Sequence, residues 1–202
     1  MSQEPVWVTP EQIEALRDAC YDDSFQSFSQ SRNDALVAML ADTGLRVGEV
    51  VQLRVENISD GHDRLMLRPD IQKSYNRNQP QLVRMELGKL VTDLPRTLKS
   101  YLDTRWKDSP YLFPSRKAEN MSSQSVRNLT KKAAQVAEVR PYRPDGSRAD
   151  PDAMHPHAFR HSIAYRMLEH GDESYTLDDV QRRLRHKRRE TTESTYSHFL
   201  VV

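Results

Sequence analysis

The sequence predicts a mostly α-helical domain with a small antiparallel β-sheet in its middle, an α+β fold. Three observations predict it. Apolar residues recur at helical spacing in several segments between Thr9 and Leu184. Two short segments, 64–68 (RLMLR) and 82–87 (LVRMEL), alternate apolar and polar residues instead, the period of a strand. The chain has 202 residues, 37% hydrophobic and 29% charged, enough for one core, and it carries no internal repeat or low-complexity tract.

The elements follow in order. Thr9-Pro10-Glu11-Gln12 reads as a helix start, with Thr9 as cap, Pro10 in the first turn and Gln12 completing a capping box. Ile13, Leu16 and Cys20 then share one face. A second helix is predicted over 33–42, with Leu36, Val37, Met39 and Leu40 inward, and Gly44 suits the left-handed residue that ends it. A third helix follows, with Val47, Val50, Val51 and Leu53 as its apolar set. Between the two strands lies a polar, turn-rich segment that contains Lys73. Leu90, Leu94, Leu98, Tyr101 and Leu102 return to helical spacing. Ser122 or Ser123 caps a helix through Val126, Leu129, Ala133 and Val136. Residues 140–152 are rich in Pro, Gly and charge and read as a loop. A strong helix follows from His157 to Gly171, and another runs from Thr176 to Leu184. Trp7 and Trp106 are expected in the core.

Composition narrows the function classes. No apolar run reaches the roughly 18 residues that a membrane span needs, and the N-terminal MSQEPVWVTPEQ lacks the basic start and apolar stretch of a signal peptide. Cys20 is the sole cysteine, which fits a reducing, cytoplasmic setting. The formal net charge is +1, but its distribution is uneven. Residues 1–60 hold 4 Lys/Arg against 11 Asp/Glu, and residues 61–202 hold 26 against 18. A polyanion would meet the later part of the chain.

Several polar residues could carry chemistry. Arg46 stands just after Thr43-Gly44, at a helix entrance. His157 and Arg160 are three apart and project from one helical face. His186 lies in the run Arg182–Arg189, which has six Lys/Arg in eight residues. Tyr196 follows in a polar TTEST context. His155, His157 and His161 are close in sequence, but no Cys or carboxylate stands at ligand spacing and Pro156 restricts the geometry, so no metal site is expected. Arginines, a lysine, histidines and a tyrosine without a carboxylate cage suit metal-free phosphoryl transfer through a covalent tyrosyl intermediate. A free Tyr has a pKa of about 10, so making it a nucleophile at pH 7 costs roughly 4 kcal/mol unless neighbours help. Guanidinium forks match the equatorial oxygens of a phosphoryl transition state, and each well-placed donor is worth about 10²–10³ in rate.

At this point the chain is identified as resembling a known family. ALVAMLADTGLRVGEVVQLRVENI resembles the first arginine motif of the tyrosine recombinases (the phage-integrase family), with Arg46 in the catalytic place and Glu49 and Leu53 in supporting ones. HPHAFRHSIAYRMLEHG resembles the second motif, His-x-x-Arg-His, which aligns His157 and Arg160. RLRHKRRETTESTYSHF resembles the closing segment, with His186 and then Tyr196, and SPYLFPSRKAENMSSQSVRNLTKKAA resembles the connecting region. The motifs fall in family order and span nearly the whole chain from Thr9. Where relatives usually have Leu-Gly-His, this chain has Leu184-Arg185-His186.

The resemblance implies a tyrosine-recombinase catalytic-domain fold over residues 1–202 as a single catalytic domain, without the N-terminal DNA-clamp domain of most relatives. It implies that Tyr196 attacks the scissile phosphate and forms a 3′-phosphotyrosyl link. Arg46 and Arg160 would clamp the nonbridging oxygens, His157 would assist proton transfer and His186 would hydrogen-bond the phosphate. Lys73 is the choice for the general acid, with Arg77 and Lys89 as alternatives. The basic run Arg182, Arg183, Arg185, Lys187, Arg188 and Arg189 would grip DNA phosphates, or else form a solvated face. The implied activity is that of an integrase- or invertase-type recombinase in the cytoplasm, at the nucleoid, with no cofactor. Its implied partners are double-stranded DNA, further copies of the chain in a dimer or tetramer, and accessory DNA-bending proteins. Two other readings stand beside it: a catalytically weak or inactive DNA-binding remnant or regulator, and a type IB nicking-closing topoisomerase.

Overall fold

Helix α1 (Pro10–Ala19) starts as its residues dictate. Thr9 Oγ1 accepts from the Gln12 N–H at 3.3 Å, and Gln12 Oε1 accepts from the Thr9 N–H at 3.1 Å. Ile13, Leu16 and Cys20 are buried on one face. The structure, a computed structural model, describes residues 5–72, 81–169 and 175–185.

Helix α2 (Ser27–Thr43) is the axis of the core. It begins before the predicted residue 33, because its first turn is polar and shows no apolar period. Every residue from Arg32 to Thr43 is buried, so the helix needs neighbours on several sides. It packs against α1, against α4 (Leu94–Thr104) and against α6 (Pro156–Glu169). The charges on its buried face are paired. Arg32 donates to the Pro114 carbonyl at 2.8 Å, and Asp34 accepts from Arg17 Nε at 2.7 Å. Gly44 ends α2 with φ 61°, the left-handed conformation expected of it.

The third predicted helix is a single turn, α3 (Val47–Val50). Leu53 is buried as predicted but lies outside it, because its carbonyl accepts from the Leu112 N–H at 2.8 Å and Arg54 bridges to Tyr111. Strands β1 (Arg64–Leu67) and β2 (Val83–Glu86) pair antiparallel, with Arg64 opposite Glu86 and Leu67 opposite Val83. Leu65, Leu67 and Met85 face the core, and Arg64, Met66, Arg84 and Glu86 face out. Two strands alone are marginal in water, so this inward face is what holds the hairpin to the domain.

Helix α5 (Ser123–Val136) is capped by Ser122, which accepts from the Ser125 N–H at 3.0 Å. Residues 140–152 form a loop, tied down by bridges from Tyr142 to Trp7 and to Arg148 and closed by a short 3₁₀ turn. The two tryptophans are half-buried rather than core residues. Trp7 stacks between Tyr142 and Tyr165, which gives its large ring apolar contact while it remains at the surface.

Helix α6 was expected to end at Gly171; it runs to Glu169, and Gly171 lies outside the described residues. Helix α7 (Leu177–Leu184) opens on a reciprocal cap between Thr176 and Asp179. A second apolar cluster of Ile163, Ala164, Tyr165, Met167, Val180 and Leu184 seals α7 onto α6. Among the described residues no helix is long and apolar enough to cross a membrane.

Candidate active site

The turn between α2 and α3, the start of α6 and the end of α7 meet at Gly44. A Cβ placed on Gly44 would stand 2.7 Å from Ile163 Cδ1 and 2.8 Å from Leu184 Cδ2. The absent side chain is therefore what lets the turn, α6 and α7 close together. Three of the candidate residues, Arg46, His157 and Arg160, are brought to this corner.

Arg160 is 1% exposed. Its Nη1 donates to the Gly44 carbonyl at 2.6 Å, and its Nη2 donates to the Leu184 carbonyl. One guanidinium thus ties the end of α2 to the end of α7. A planar fork can serve two acceptors in fixed directions, which an ammonium cannot.

Arg46 is partly exposed and stands at the mouth of the turn. Its backbone N–H donates to Glu49 Oε2 at 2.9 Å, and its Nη1 donates to Glu49 Oε1 at 3.2 Å. Glu49 is almost fully buried and also receives Arg185 Nη2 at 2.7 Å. Burial pushes the Glu49 carboxyl up, but the Arg185 charge and the Arg46 N–H outweigh it and hold it below its ordinary value.

His157, in the first turn of α6, keeps its side chain open to solvent. Loss of water around its inner atoms, then the charges of Arg160, His155 and Arg46, push its pKa down to about 4. Solvent screens part of that field, so the direction of the shift carries the chemistry. A neutral imidazole at pH 7 can accept a proton. The His161 ring stands edge-on to it at 4.8 Å. His155 Nδ1 accepts from the Ala158 N–H at 3.2 Å, a helix-start role. Among the described residues no group of three or more His, Cys, Asp or Glu is placed to hold a metal.

The basic run divides. Arg182 is exposed and pairs with Asp179 at 3.1 Å. Arg183 and Arg185 turn inward: Arg183 Nη2 reaches Asp42 Oδ2 at 3.0 Å, and Arg185 reaches Glu49. Lys187, Arg188, Arg189, His186 and Tyr196 lie outside the described residues, as do Lys73 and Arg77. The base of the segment that carries Lys73 is described: Gln72 Nε2 donates to the Leu67 carbonyl at 3.0 Å and to the Gln81 carbonyl at 2.7 Å. Lys89, the other alternative, pairs with Glu86 at 3.0 Å, both side chains largely exposed. A cleft of about 370 Å³ between β2, α6 and α7 adjoins the corner, with Arg84, Lys89, Arg182, Arg183 and Arg185 on its walls.

Asp42 is a support that sequence reasoning missed. It is fully buried and accepts from the Leu90 N–H at 2.7 Å and the Val91 N–H at 3.0 Å besides Arg183. It fastens the segment after β2, and α7, to the end of α2. An acid inside the apolar run ALVAMLADTG was the available signal, since a charge in such a run must find partners.

Residues 6–201 match the phage integrase family. The tyrosine recombinase XerD of Haemophilus influenzae is 27% identical over 200 residues, covering 98% of this chain and 59% of that protein. The crystal structure of the XerA recombinase superposes with a TM-score of 0.71 at 22% identity, covering all of this chain and 60% of that one. The XerH site-specific recombinase bound to its difH substrate, a pre-cleavage complex, gives a TM-score of 0.70 at 18% identity, covering 98% of this chain and 51% of that one. The chain thus spans about three fifths of the XerD relative's length.

Proposed function

The chain belongs to the phage integrase family, and from that premise we propose that it is a site-specific DNA recombinase of the integrase or invertase type, acting through a 3′-phosphotyrosyl intermediate. The observation that carries the reading is the corner at Gly44, where Arg46, His157 and Arg160 gather although their motifs lie far apart in the chain. Its relatives are named tyrosine recombinases, and the fold is theirs.

In this reading the Tyr196 phenol oxygen attacks the scissile phosphorus and the bond to the 5′ oxygen breaks. His157 takes the phenolic proton. Lys73 delivers a proton to the leaving 5′ oxygen. The phosphodiester energy is kept in the tyrosyl link, and a free 5′-hydroxyl of a second strand reverses the step. Arg46 and Arg160 hold the nonbridging oxygens, and His186 hydrogen-bonds one of them. Bound phosphate offsets the arginine charges, so His157 becomes more basic just when it is needed. Arg160 meets the phosphate in competition with the Leu184 carbonyl, which links assembly of the site to the position of the α7 end.

Arg182, Lys187, Arg188 and Arg189 are the phosphate-gripping part of the basic run, while Arg183 and Arg185 serve inside the protein. The partners are double-stranded DNA, further copies of the chain on that DNA, and DNA-bending accessory proteins. The setting is the cytoplasm at the nucleoid, and residues 1–202 act as one catalytic domain. The test is a pool of nicked suicide duplexes of randomised core sequence, scored for a DNA–protein adduct on a denaturing gel. Wild type is expected to form it and Tyr196→Phe to abolish it. Salt-sensitive binding without any adduct would favour the DNA-binding regulator instead.

A further inference from the structure

Arg185 occupies a place that argues against an arginine. It caps α7 with φ 53°, the left-handed region that glycine enters freely and residues with a Cβ enter at a cost. Its side chain is 13% exposed, and among the described residues its buried Nε has no hydrogen-bond partner. Both features oppose the residue unless its guanidinium has a task. The task is visible: Nη2 reaches the Glu49 carboxylate at 2.7 Å, and that same carboxylate grips Arg46 through its backbone N–H and its Nη1.

We infer that Arg185 is a positioning residue for Arg46, acting through Glu49. The carboxylate is shared between two guanidiniums on different elements, one ahead of α3 and one at the end of α7. With Arg185 present, Glu49 is drawn toward α7 and stays ionised, and Arg46 is held by one carboxylate edge at the mouth of the turn. With Arg185 gone, Glu49 keeps Arg46 as its ion-pair partner among the described residues and protonates more readily in its buried setting. Among the described residues, the charged and titratable groups around Glu49 and its partners are Arg46 ahead of α3, Arg185 at the end of α7, His155 just ahead of α6, and His157, Arg160 and His161 on α6. Because Arg185 is the next residue after Leu184, whose carbonyl Arg160 holds, the device also couples the α7 end to both arginines.

This inference rests on the recombinase reading for its catalytic arm, so the test has an arm that does not. The Glu49 carboxyl is titrated by carbon NMR in the free 202-residue protein, in wild type, Arg185→Gly, Arg185→Asn and Arg185→Lys. Gly and Asn both accept the left-handed backbone, so at least one folded variant lacking the guanidinium is expected. The Glu49 titration should move upward in Arg185→Gly and Arg185→Asn and return toward wild type in Arg185→Lys. In the catalytic arm, single-turnover adduct formation should fall about tenfold in Arg185→Gly, its acid limb should move up in pH, and Arg185→Lys should restore part of both. The salt slope of DNA binding should stay at the wild-type value, since a lost phosphate contact would lower it by about one. An unmoved Glu49 titration, an adduct rate and pH profile equal to wild type, or a reduced salt slope each overturns the inference. A wild type that forms no adduct overturns the recombinase reading, and the Glu49 titration then decides the positioning role alone.

Discussion

Arg160 donates to the Gly44 carbonyl at 2.6 Å across 116 residues of chain, so the second arginine motif is fastened directly onto the turn that leads to the first. A single buried fork, with its other arm on Leu184, ties the end of α2 and the end of α7 to the first half of α6. Arg160 is therefore a structural tie as well as a candidate phosphate ligand, and substitutions there will move both stability and activity.

Arg160→Lys is expected to keep the charge and lose the two-carbonyl bridge. Each charge-assisted hydrogen bond is worth about 1.5–3 kcal/mol, so urea unfolding should show a loss of roughly 2 kcal/mol or more. Adduct formation under conditions where the variant is folded should fall at least about 100-fold. A variant as stable and as active as wild type would show that the fork is dispensable.

Gly44→Ala meets both a left-handed backbone and two side chains closer than 3 Å. Backbone cost and overpacking together should destabilise the protein by about 2–4 kcal/mol, read by denaturant midpoint at constant slope. A change within about 0.5 kcal/mol would mean that Ile163 and Leu184 move aside freely.

His157 should titrate well below the usual histidine value in the free protein, toward about 4. The sign follows from linkage. The unfolded chain binds a proton at about 6.5 while the folded one resists it, so stability falls as pH drops from about 6.5 to about 4. His157→Gln should flatten that part of the stability–pH curve. Proton NMR of the imidazole checks the first point, and a titration near 6.5 would remove both the loss of water around the inner atoms of the ring and the field of Arg160, His155 and Arg46 from the account.

Asp42→Ala removes the acceptor of three backbone N–H groups, those of Gly88, Leu90 and Val91, and leaves Arg183 beside a buried gap. Breaking a buried pair from one side costs about 3–5 kcal/mol. Hydrogen exchange should quicken first at Leu90 and Val91, and protection there equal to wild type would contradict the role assigned to Asp42.

How much of this was legible depended on how local each signal is. The Thr9 cap, the left-handed Gly44, the paired strands and the Ser122 and Thr176 caps rest on neighbours a few residues apart, and sequence reading placed them. The start of α2 was missed because its first turn is polar and its buried Arg32 is satisfied from afar, by the Pro114 carbonyl. The third helix came out as one turn because Leu53 pairs with Leu112. In the site, Arg46, His157 and Arg160 were nameable from their motifs, but not the direction each side chain takes. Arg183 and Arg185 read as part of one basic run. They turn inward because α7 ends in a left-handed residue beside buried Asp42 and Glu49, a tertiary fact with no local period.

The most direct measurement is to digest the DNA–protein adduct and locate the nucleotide-bearing peptide by mass spectrometry. A 3′-phosphonucleotide on Tyr196, lost in Arg46→Ala and in Arg160→Ala proteins that remain folded, is the expected result. A nucleotide on any other residue, or an adduct that persists without both arginines, would contradict the assignment of this corner as the place where DNA is cut.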